Sequence, residues 1–353
     1  MDNKTVITKE TKNRIRVDYE GKLSFKERMI KKLKASNTWI KAGVNVMRFI
    51  LMLGVSFVIV YPFITKIAGS FMTKEDVVDS TISLIPKHFT LEIYQAIIVD
   101  NHYVEALINT IFLSITCALI QTLISCLVGY GLAKFKFKGN RIIMLLVVIT
   151  MVIPHRTLQL SMYHHFIRFD FFKLFALENQ GIIQLITGSP LKLENTFWPY
   201  IILSVFGLAF KNGLYIYMMR QFFKGVPDEL EESSYIDGYG IFKTFVFIVL
   251  PLSVPMMITV FLFAFSWQWT DIFYASSTMF FPDSATAPYM LTTKIGFDVP
   301  NSLVGLVPNN TVKWETAVKS TGGLMIIAPL VIMYLFCQKY LVQGIERSGL
   351  TAD

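Results

Sequence analysis

Long runs of apolar residues divide this chain, and each run is about as long as the hydrocarbon core of a bilayer is thick. A transmembrane helix needs about 20 mainly apolar residues. The runs that meet this requirement are 49–67, 107–132, 142–166, 197–219, 247–274 and 323–341. The pattern therefore predicts an all-α, polytopic membrane protein with six transmembrane helices.

The most distinctive polar stretch lies between the fourth and fifth predicted spans. It begins at Pro227, continues with four acidic residues in 228–232, reaches Gly238 and ends at Pro251. Proline suits the first position of a helix, and acidic side chains stabilise the N-terminal end of a helix. Glycine can adopt the left-handed conformation that terminates a helix. The pattern predicts two short helices that are separated at Gly238.

The distribution of charge predicts the orientation of the chain. Its formal net charge is +8, and basic residues are concentrated in segment 1–48, before the first predicted span. Basic residues next to membrane spans are retained in the cytoplasm. We therefore expect a multi-pass cell-membrane protein whose two termini are cytoplasmic, together with loops 134–141 and 224–246. The acidic segment 70–106 is predicted to face outward.

Composition supports the membrane assignment and disfavours several other classes. The chain is 53% hydrophobic and only 16% charged. Its basic N-terminal segment is more typical of contact with anionic lipid headgroups than with nucleic acid. The three cysteines lie in apolar runs, and the sequence lacks a Gly-x-x-x-x-Gly-Lys-Ser/Thr phosphate-binding loop. We expect no cofactor and no enzymatic active site in this chain.

A polar cluster in the third predicted span is a candidate substrate pathway. Arg156, Gln159 and Tyr163 recur at steps of three and four residues, so a helix would place them on one face. With a rise of about 1.5 Å per residue, Arg156 is predicted to lie roughly 20 Å into the membrane. An ionisable group at that depth usually faces a bundle interior or a wet cavity. The alternative is that Arg156 extends to the headgroups or pairs with a carboxylate for packing.

The end of the fifth predicted span offers further candidates. Residues 267–271 read Trp-Gln-Trp-Thr-Asp. The tryptophans are typical either of stacking on a flat ligand or of an aromatic belt at the membrane interface. Asp271 is the better functional candidate because its charge needs a partner. His155 and the adjacent pair 164–165 do not predict a metal site, since no cysteine or carboxylate falls at ligand spacing.

The polar stretch resembles the cytoplasmic loop of permease subunits from binding-protein-dependent ABC importers. The family pattern is Glu-Ala-Ala, three residues, Gly, and later Ile-x-Leu-Pro. Residues 232–234, Gly238 and 248–251 match it, with serine in place of both alanines. Asp237 before the glycine is similar to the carbohydrate, maltose-type branch. Further similarities to that branch lie in 85–94, 109–110, 129–139, 269–271 and 340–344.

This resemblance implies a type I ABC importer permease fold. It implies a basic cytoplasmic segment 1–48, a transmembrane permease domain 49–345 with a coupling loop 224–246, and a cytoplasmic tail 346–353. The implied function is passage of a sugar or oligosaccharide delivered by an extracellular solute-binding protein. The implied partners are a second permease subunit and an ABC ATPase dimer that hydrolyses the ATP. The implied ATPase-coupling residues are Glu231, Glu232, Ser233, Ser234, Asp237 and Gly238.

Two alternatives stay open at this point. The chain could serve an ABC importer for another polar solute, or it could be an ion-coupled secondary transporter. The second alternative would require interrupted half-helices and would not need the acidic loop. The outer connections 167–196 and 275–321 are long, and either an outer cap or surface loops of variable length would account for them.

Overall fold

The computed structural model describes residues 7–10, 16–19, 36–170, 181–276, 279–282, 285–296, 298–305 and 311–349. The chain divides into two compact units, Met1–Thr65 and Lys66–Asp353. In the first unit, strand β1 (Ile7–Glu10) pairs with the antiparallel strand β2 (Arg16–Tyr19). The fold is otherwise mostly helical, as predicted, and this hairpin is the departure from an all-α chain among the described residues.

Helix α1 (Ser36–Gly69) begins in the first unit and contains the first predicted span. Its apolar part, Gly43–Gly69, is long enough to cross a membrane, and none of its most apolar window is buried in the chain.

The described part of the second unit is mostly helical. The α-helices are α2 (Lys74–Val78), α3 (Glu92–Asp100), α4 (Tyr103–Lys134), α5 (Asn140–Val152), α6 (Gln159–Ile167), α7 (Ile182–Thr187), α8 (Trp198–Val205), α9 (Asn212–Lys224), α10 (Glu229–Ile236), α11 (Ile241–Thr244), α12 (Leu250–Trp269) and α13 (Thr311–Gly349). The 3-10 turns are His155–Leu158 and Asn301–Leu303, and the π-helical turns are Phe245–Val249 and Leu291–Ile295.

Four helical stretches of the described residues can cross a membrane as continuous helices. They are Gly43–Gly69, Tyr103–Lys134, Ile241–Trp269 and Val312–Tyr340. They contain the first, second, fifth and sixth predicted spans, although the fifth helix ends at Trp269 rather than at Tyr274. The third and fourth predicted spans differ from expectation because neither is one straight helix.

The third predicted span is sharply bent. Helix α5 ends at Val152, and the helical segment His155–Ile167 continues at 94° to it. Ile153 has an extended backbone (φ −67°, ψ 121°). A residue that precedes proline avoids the helical conformation, because the proline ring collides with its backbone. Pro154 therefore forces the turn, and the predicted span over 142–166, which has Pro154 inside it, is bent rather than straight.

The fourth predicted span is interrupted by a turn at 206–211. Helix α8 ends at Val205 and α9 begins at Asn212. Gly207 and Lys211 between them have φ of +70° and +64°. An α-helix cannot pass through left-handed residues, so two shorter helices replace the predicted helix over 197–219.

Helix α4 lies at the centre of the second unit, where it packs against α8, α9 and α12. Helix α13 packs against α12 and contains Pro329, which frees the carbonyl of Met325 from its helical hydrogen bond. The hydroxyl of Tyr103 donates to that carbonyl at 3.0 Å. Neighbouring helices are expected to satisfy such freed carbonyls inside a membrane.

Candidate functional site

The acidic loop forms the two-helix module that the sequence predicts. Helix α10 ends at Ile236, and Gly238 follows with φ +84°. The amide of Gly238 donates to the carbonyl of Tyr235 at 3.1 Å, and the amide of Tyr239 donates to the carbonyl of Ser234 at 3.0 Å. These bonds satisfy carbonyls that the helix end leaves unpaired. The predicted break at Gly238 is therefore confirmed.

The second helix of the module is continuous with a membrane helix. Helix α11, the π-helical turn and α12 form one helical stretch, Ile241–Trp269. The two halves of the module are joined by a 2.8 Å hydrogen bond between the buried hydroxyls of Ser234 and Thr244. A displacement of α10 can therefore be transmitted directly to α12.

Lys134, the last residue of α4, ties the module to a second membrane helix. Its ammonium donates to the carbonyl of Val226 at 2.6 Å and to the carboxylate of Asp228. It also forms an ion pair with Glu231 at 3.4 Å, with both side chains about one-tenth exposed or less. The hydroxyl of Tyr130 donates to the other oxygen of Glu231 at 3.1 Å. Hydrogen bonding from Lys134 lowers the pKa of Asp228, so its charged form is favoured.

The opposite face of the module is exposed and contains large apolar side chains. Ile236 is 86% exposed and Phe242 is 76% exposed, and Ile241 and Tyr239 lie near them in the chain. Exposed apolar groups on a polar loop are typical of a protein interaction surface. We call this set (Ile236, Tyr239, Ile241 and Phe242) the apolar face of the module.

A second candidate region lies where both helical interruptions meet. A cavity of about 300 Å³ is lined by residues 150–155 at the bend after α5 and by 207–214 at the start of α9. Gly213 allows the two helices to approach, because a Cβ there would lie 2.5 Å from Oγ1 of Thr150. The volume is at the lower end of the range for small-molecule sites.

Lys211 and several aromatic rings surround this cavity. The ammonium of Lys211 lies 5.0 Å from the ring centre of Phe210 and 5.2 Å from that of Trp267. These distances are within the range of cation–π attraction. His155 packs against Phe210 and shares a 2.7 Å hydrogen bond with the hydroxyl of Tyr274.

The carboxylate of Asp271 is fully engaged close to this aromatic cluster. It accepts hydrogen bonds from the hydroxyl of Tyr200 and from the backbone amides of Phe273, Tyr274 and Ala275, at 3.0 to 3.1 Å. These donors hold the turn that follows α12. Asp271 therefore has partners for its charge, and they come from the protein itself.

Comparison with known proteins identifies the family. Residues 121–347, more than half of the chain, match the family described as the binding-protein-dependent transport system inner membrane component. The chain belongs to this permease family. The matched part contains the two-helix module, the cavity and α12 with its following turn. Its members are transport subunits of the membrane rather than enzymes, and with its apolar helices this permease is a multi-pass cell-membrane protein.

Several relatives of the permease cover most of its length. It is 28% identical over 306 residues to the polygalacturonan/rhamnogalacturonan transport system permease protein YtcP of Bacillus subtilis (strain 168), which covers 84% of this chain and 93% of that protein. It is 26% identical over 306 residues to the probable starch degradation products transport system permease protein AmyC of Thermoanaerobacterium thermosulfurigenes, covering 86% and 96%.

A solved structure supports the fold. It is a crystal structure of a bacterial ABC transporter involved in the import of the acidic polysaccharide alginate. The TM-score is 0.65 at 20% identity, and the match covers 87% of this chain and 98% of that chain. The predicted type I ABC importer permease fold is thus confirmed at the level of the family and its architecture.

The predicted coupling residues fall into two groups according to their exposure. Those exposed on the module are Glu232, Ser233, Asp237 and Gly238. Those that face inward are Glu231 and Ser234, which contact Lys134 and Thr244. Through these contacts Glu231 and Ser234 hold the module together.

The candidate pathway residues are rearranged by the bend. Arg156 is exposed in the 3-10 turn, and it forms no ion pair within the part of the chain that the structure describes. Gln159 and Tyr163 lie one turn apart on α6 and are both half-buried. The predicted depth of Arg156 assumed one straight helix, and the 94° bend before it removes that assumption. Three or more metal-ligating side chains do not come together in the described ranges.

Sequence reasoning did not single out Lys211. Its signal was present, because Lys211 is an ionisable residue within the predicted span 197–219, and such residues usually mark a polar pathway. Residues Lys211-Asn212-Gly213 also form a polar interruption of that apolar run.

Proposed function

We propose that this chain is one of the membrane-spanning subunits of an ATP-driven ABC importer and that it carries a sugar or oligosaccharide inward. The observation that carries the proposal is the two-helix module, which is tied to α4 through Lys134 and is continuous with α12. The similarity to YtcP and AmyC supports a saccharide as the substrate, since YtcP is described as a permease for polygalacturonan/rhamnogalacturonan and AmyC as a probable permease for starch degradation products.

The module is the proposed site of ATPase coupling. A separate ABC ATPase dimer would bind the apolar face and the adjoining residues Glu232, Ser233, Asp237 and Gly238. Closure of the ATPase would move α10, and the contacts of Lys134 and the continuous helix of α12 would carry this rigid-body motion into the membrane. We further propose a second permease subunit and an extracellular solute-binding protein as partners.

The substrate pathway is proposed to pass the cavity at the bend. Arg156, Gln159 and Tyr163 follow the bend and would contact the substrate beyond the cavity, whereas Asp271 would shape its rim through the turn that it holds. Arg156→Ala is expected to reduce uptake and to leave the amount of assembled complex in the membrane near the parental level.

The proposed function is tested by reconstitution. The permease is purified with its ATPase and partner permease, inserted into liposomes and supplied with solute-binding protein and a mixture of labelled oligosaccharides. Uptake should require ATP on the side of the membrane that carries the ATPase. Loaded solute-binding protein should stimulate ATP hydrolysis. Uptake driven by an ion gradient without ATP would contradict the proposal in favour of a secondary transporter. If the complex took up only amino acids, polyamines or phosphate with ATP, the assignment of a saccharide as the substrate would be contradicted.

A further inference from the structure

The cavity at the bend carries positive charge that the described residues do not neutralise. Lys211 lines the cavity, and no carboxylate lies within 4.0 Å of its ammonium among those residues. Asp271 lies in the same region of the fold, but its oxygens already accept four hydrogen bonds. An unpaired cation within a membrane protein is costly, and such residues are usually retained for a ligand or an ion.

The N-terminus of α9 adds to this positive potential. The first turn of this 13-residue helix, Asn212–Leu214, lines the cavity directly after Lys211. The amides of Asn212 and Leu214 already donate to the carbonyls of Ala209 and Lys211, so the helix dipole and the amide of Gly213 favour an anion at this end. Asn212 is also fully buried there, and neither its amide nitrogen nor its amide oxygen has a hydrogen-bond partner among the described residues. A buried amide without partners is uncommon in a protein, and a bound water or a polar ligand would satisfy it.

The local backbone is strained at the same position. Lys211 has φ +64°, which is unfavourable for a residue with a long side chain. Strained residues tend to be found at functional sites. The aromatic rings of Phe210 and Trp267 flank the ammonium, and Trp267 remains 45% exposed. An exposed tryptophan beside a fixed cation offers an apolar surface for a sugar ring and a charge for its acidic group.

We propose that the cavity formed by residues 150–155 and 207–214 is a binding site for an acidic saccharide, with Lys211 and the first turn of α9 receiving the carboxylate of a uronate residue. The inference rests on the proposed function and specifies the substrate class within it. The expected ligand is an oligosaccharide of uronate units rather than a neutral oligosaccharide or a free anion.

The test compares three probes on the complete permease–ATPase complex, without solute-binding protein. The probes are trigalacturonate, neutral galactotriose and inorganic phosphate, and the signal is the quenching of tryptophan fluorescence, assigned with a Trp267→Phe variant. Trigalacturonate should bind at least about tenfold more tightly than galactotriose, since a hydrogen bond to a charged group typically changes affinity by roughly ten- to a hundredfold.

Two substitutions at Lys211 separate charge from folding. Lys211→Asn removes the charge, and asparagine adopts the left-handed conformation more readily than lysine. It should abolish the preference for trigalacturonate, whereas Lys211→Arg should retain it. Lys294→Met is the matched control, because Lys294 likewise lies over an aromatic ring, that of Tyr289, but has Asp298 as an ion partner at 3.8 Å. The Lys294→Met variant should leave the preference for trigalacturonate unchanged.

Three outcomes would overturn the inference. These are equal or tighter binding of galactotriose, an intact preference in Lys211→Asn, and phosphate binding as tight as that of trigalacturonate. If neutral oligosaccharides are nevertheless taken up with ATP, only this inference fails. If neither saccharide binds and none is taken up, the proposed function fails with it.

Discussion

Gly238 is the residue at which local backbone conformation and the proposed coupling function coincide. Its φ of +84° favours glycine, and a Cβ at this position would meet no other atom within 4 Å. The cost of a side chain there is therefore conformational rather than steric. It is about 1 kcal/mol for an ordinary residue in the left-handed region.

We predict that Gly238→Pro uncouples ATP hydrolysis from transport. Proline fixes φ near −65°, so α10 would leave the module at a different angle and its exposed residues would no longer meet the ATPase correctly. Substrate-stimulated ATPase activity and co-purification of the ATPase should both fall. Gly240→Ala is the control, because Gly240 has φ −81° and also has open space around it. Parental activity in Gly238→Pro would refute a coupling function for the module.

A second prediction concerns the anchor at Lys134. Lys134→Met would leave the nearly buried carboxylate of Glu231 without its ion partner. Breaking a buried pair by removing one partner costs about 3–5 kcal/mol. The module should then be cleaved faster by protease, and stimulation of ATP hydrolysis should decrease. Lys138→Met, an exposed neighbour in the same loop, should behave like the parent. Equal protease sensitivity of the two variants would show that Lys134 does not hold the module.

At the scale of elements, the positions of both candidate sites depend on how α4 and α9 cross. The two backbones approach closely at Gly129, where an added Cβ would lie 2.7 Å from Cβ of Met219 and 2.9 Å from the amide nitrogen of Arg220. Small residues permit such contacts between membrane helices. The guanidinium of Arg220 donates to the carbonyl of Leu132 at 3.3 Å and fixes the same crossing.

We predict that Gly129→Ala destabilises the permease, whereas Gly131→Ala does not. The methyl group at residue 129 would push α4 and α9 apart, and overpacking of this kind costs about 1–3 kcal/mol. At residue 131 a Cβ meets nothing within 4 Å, so the higher helix propensity of alanine is the main effect. The measurement is the thermal unfolding midpoint of the purified complex in detergent. Identical midpoints for the two variants would contradict a close crossing at Gly129.

At the scale of the whole molecule, the charges of the loops predict how the module is oriented relative to the membrane. The basic loops predict that both termini and the module are cytoplasmic. The acidic segment 70–106 is predicted to lie outside, and its exposed Ile85 is a convenient marker for that side.

We predict opposite labelling of two single-cysteine variants, Ile236→Cys and Ile85→Cys, in a background without the three native cysteines. A membrane-impermeant thiol reagent applied to intact cells should label residue 85 but not residue 236. In inverted membrane vesicles, which expose the cytoplasmic face, the same reagent should label residue 236 but not residue 85. Labelling of residue 236 from outside would place the module on the wrong side for a cytoplasmic ATPase.

Local rules predicted the features that depend on neighbouring residues. The break at Gly238 follows from the conformational freedom of glycine, and the apolar runs predicted the four continuous membrane helices. The resemblance of 232–251 to the importer loop predicted the family, which the comparison over 121–347 confirms. The same local rules also predict the bend at Pro154, because proline constrains the residue before it. The depth predicted for Arg156 assumed a straight helix over 142–166 and gave too little weight to that constraint.

The sequence by itself therefore determined the apolar helices, the two-helix module and the family, since hydrophobic length, capping and turn chemistry act over a few residues. The tertiary structure alone decided which side chains meet. It placed Lys134 of α4 against Glu231 of the module, 97 positions further along the chain, and it gave the carboxylate of Asp271 a hydrogen bond from Tyr200. It also brought the bend at Pro154 beside Lys211 to form one cavity. Such contacts depend on how helices cross, and helix crossing is set by close packing at residues such as Gly129 and Gly213, which local sequence patterns do not specify.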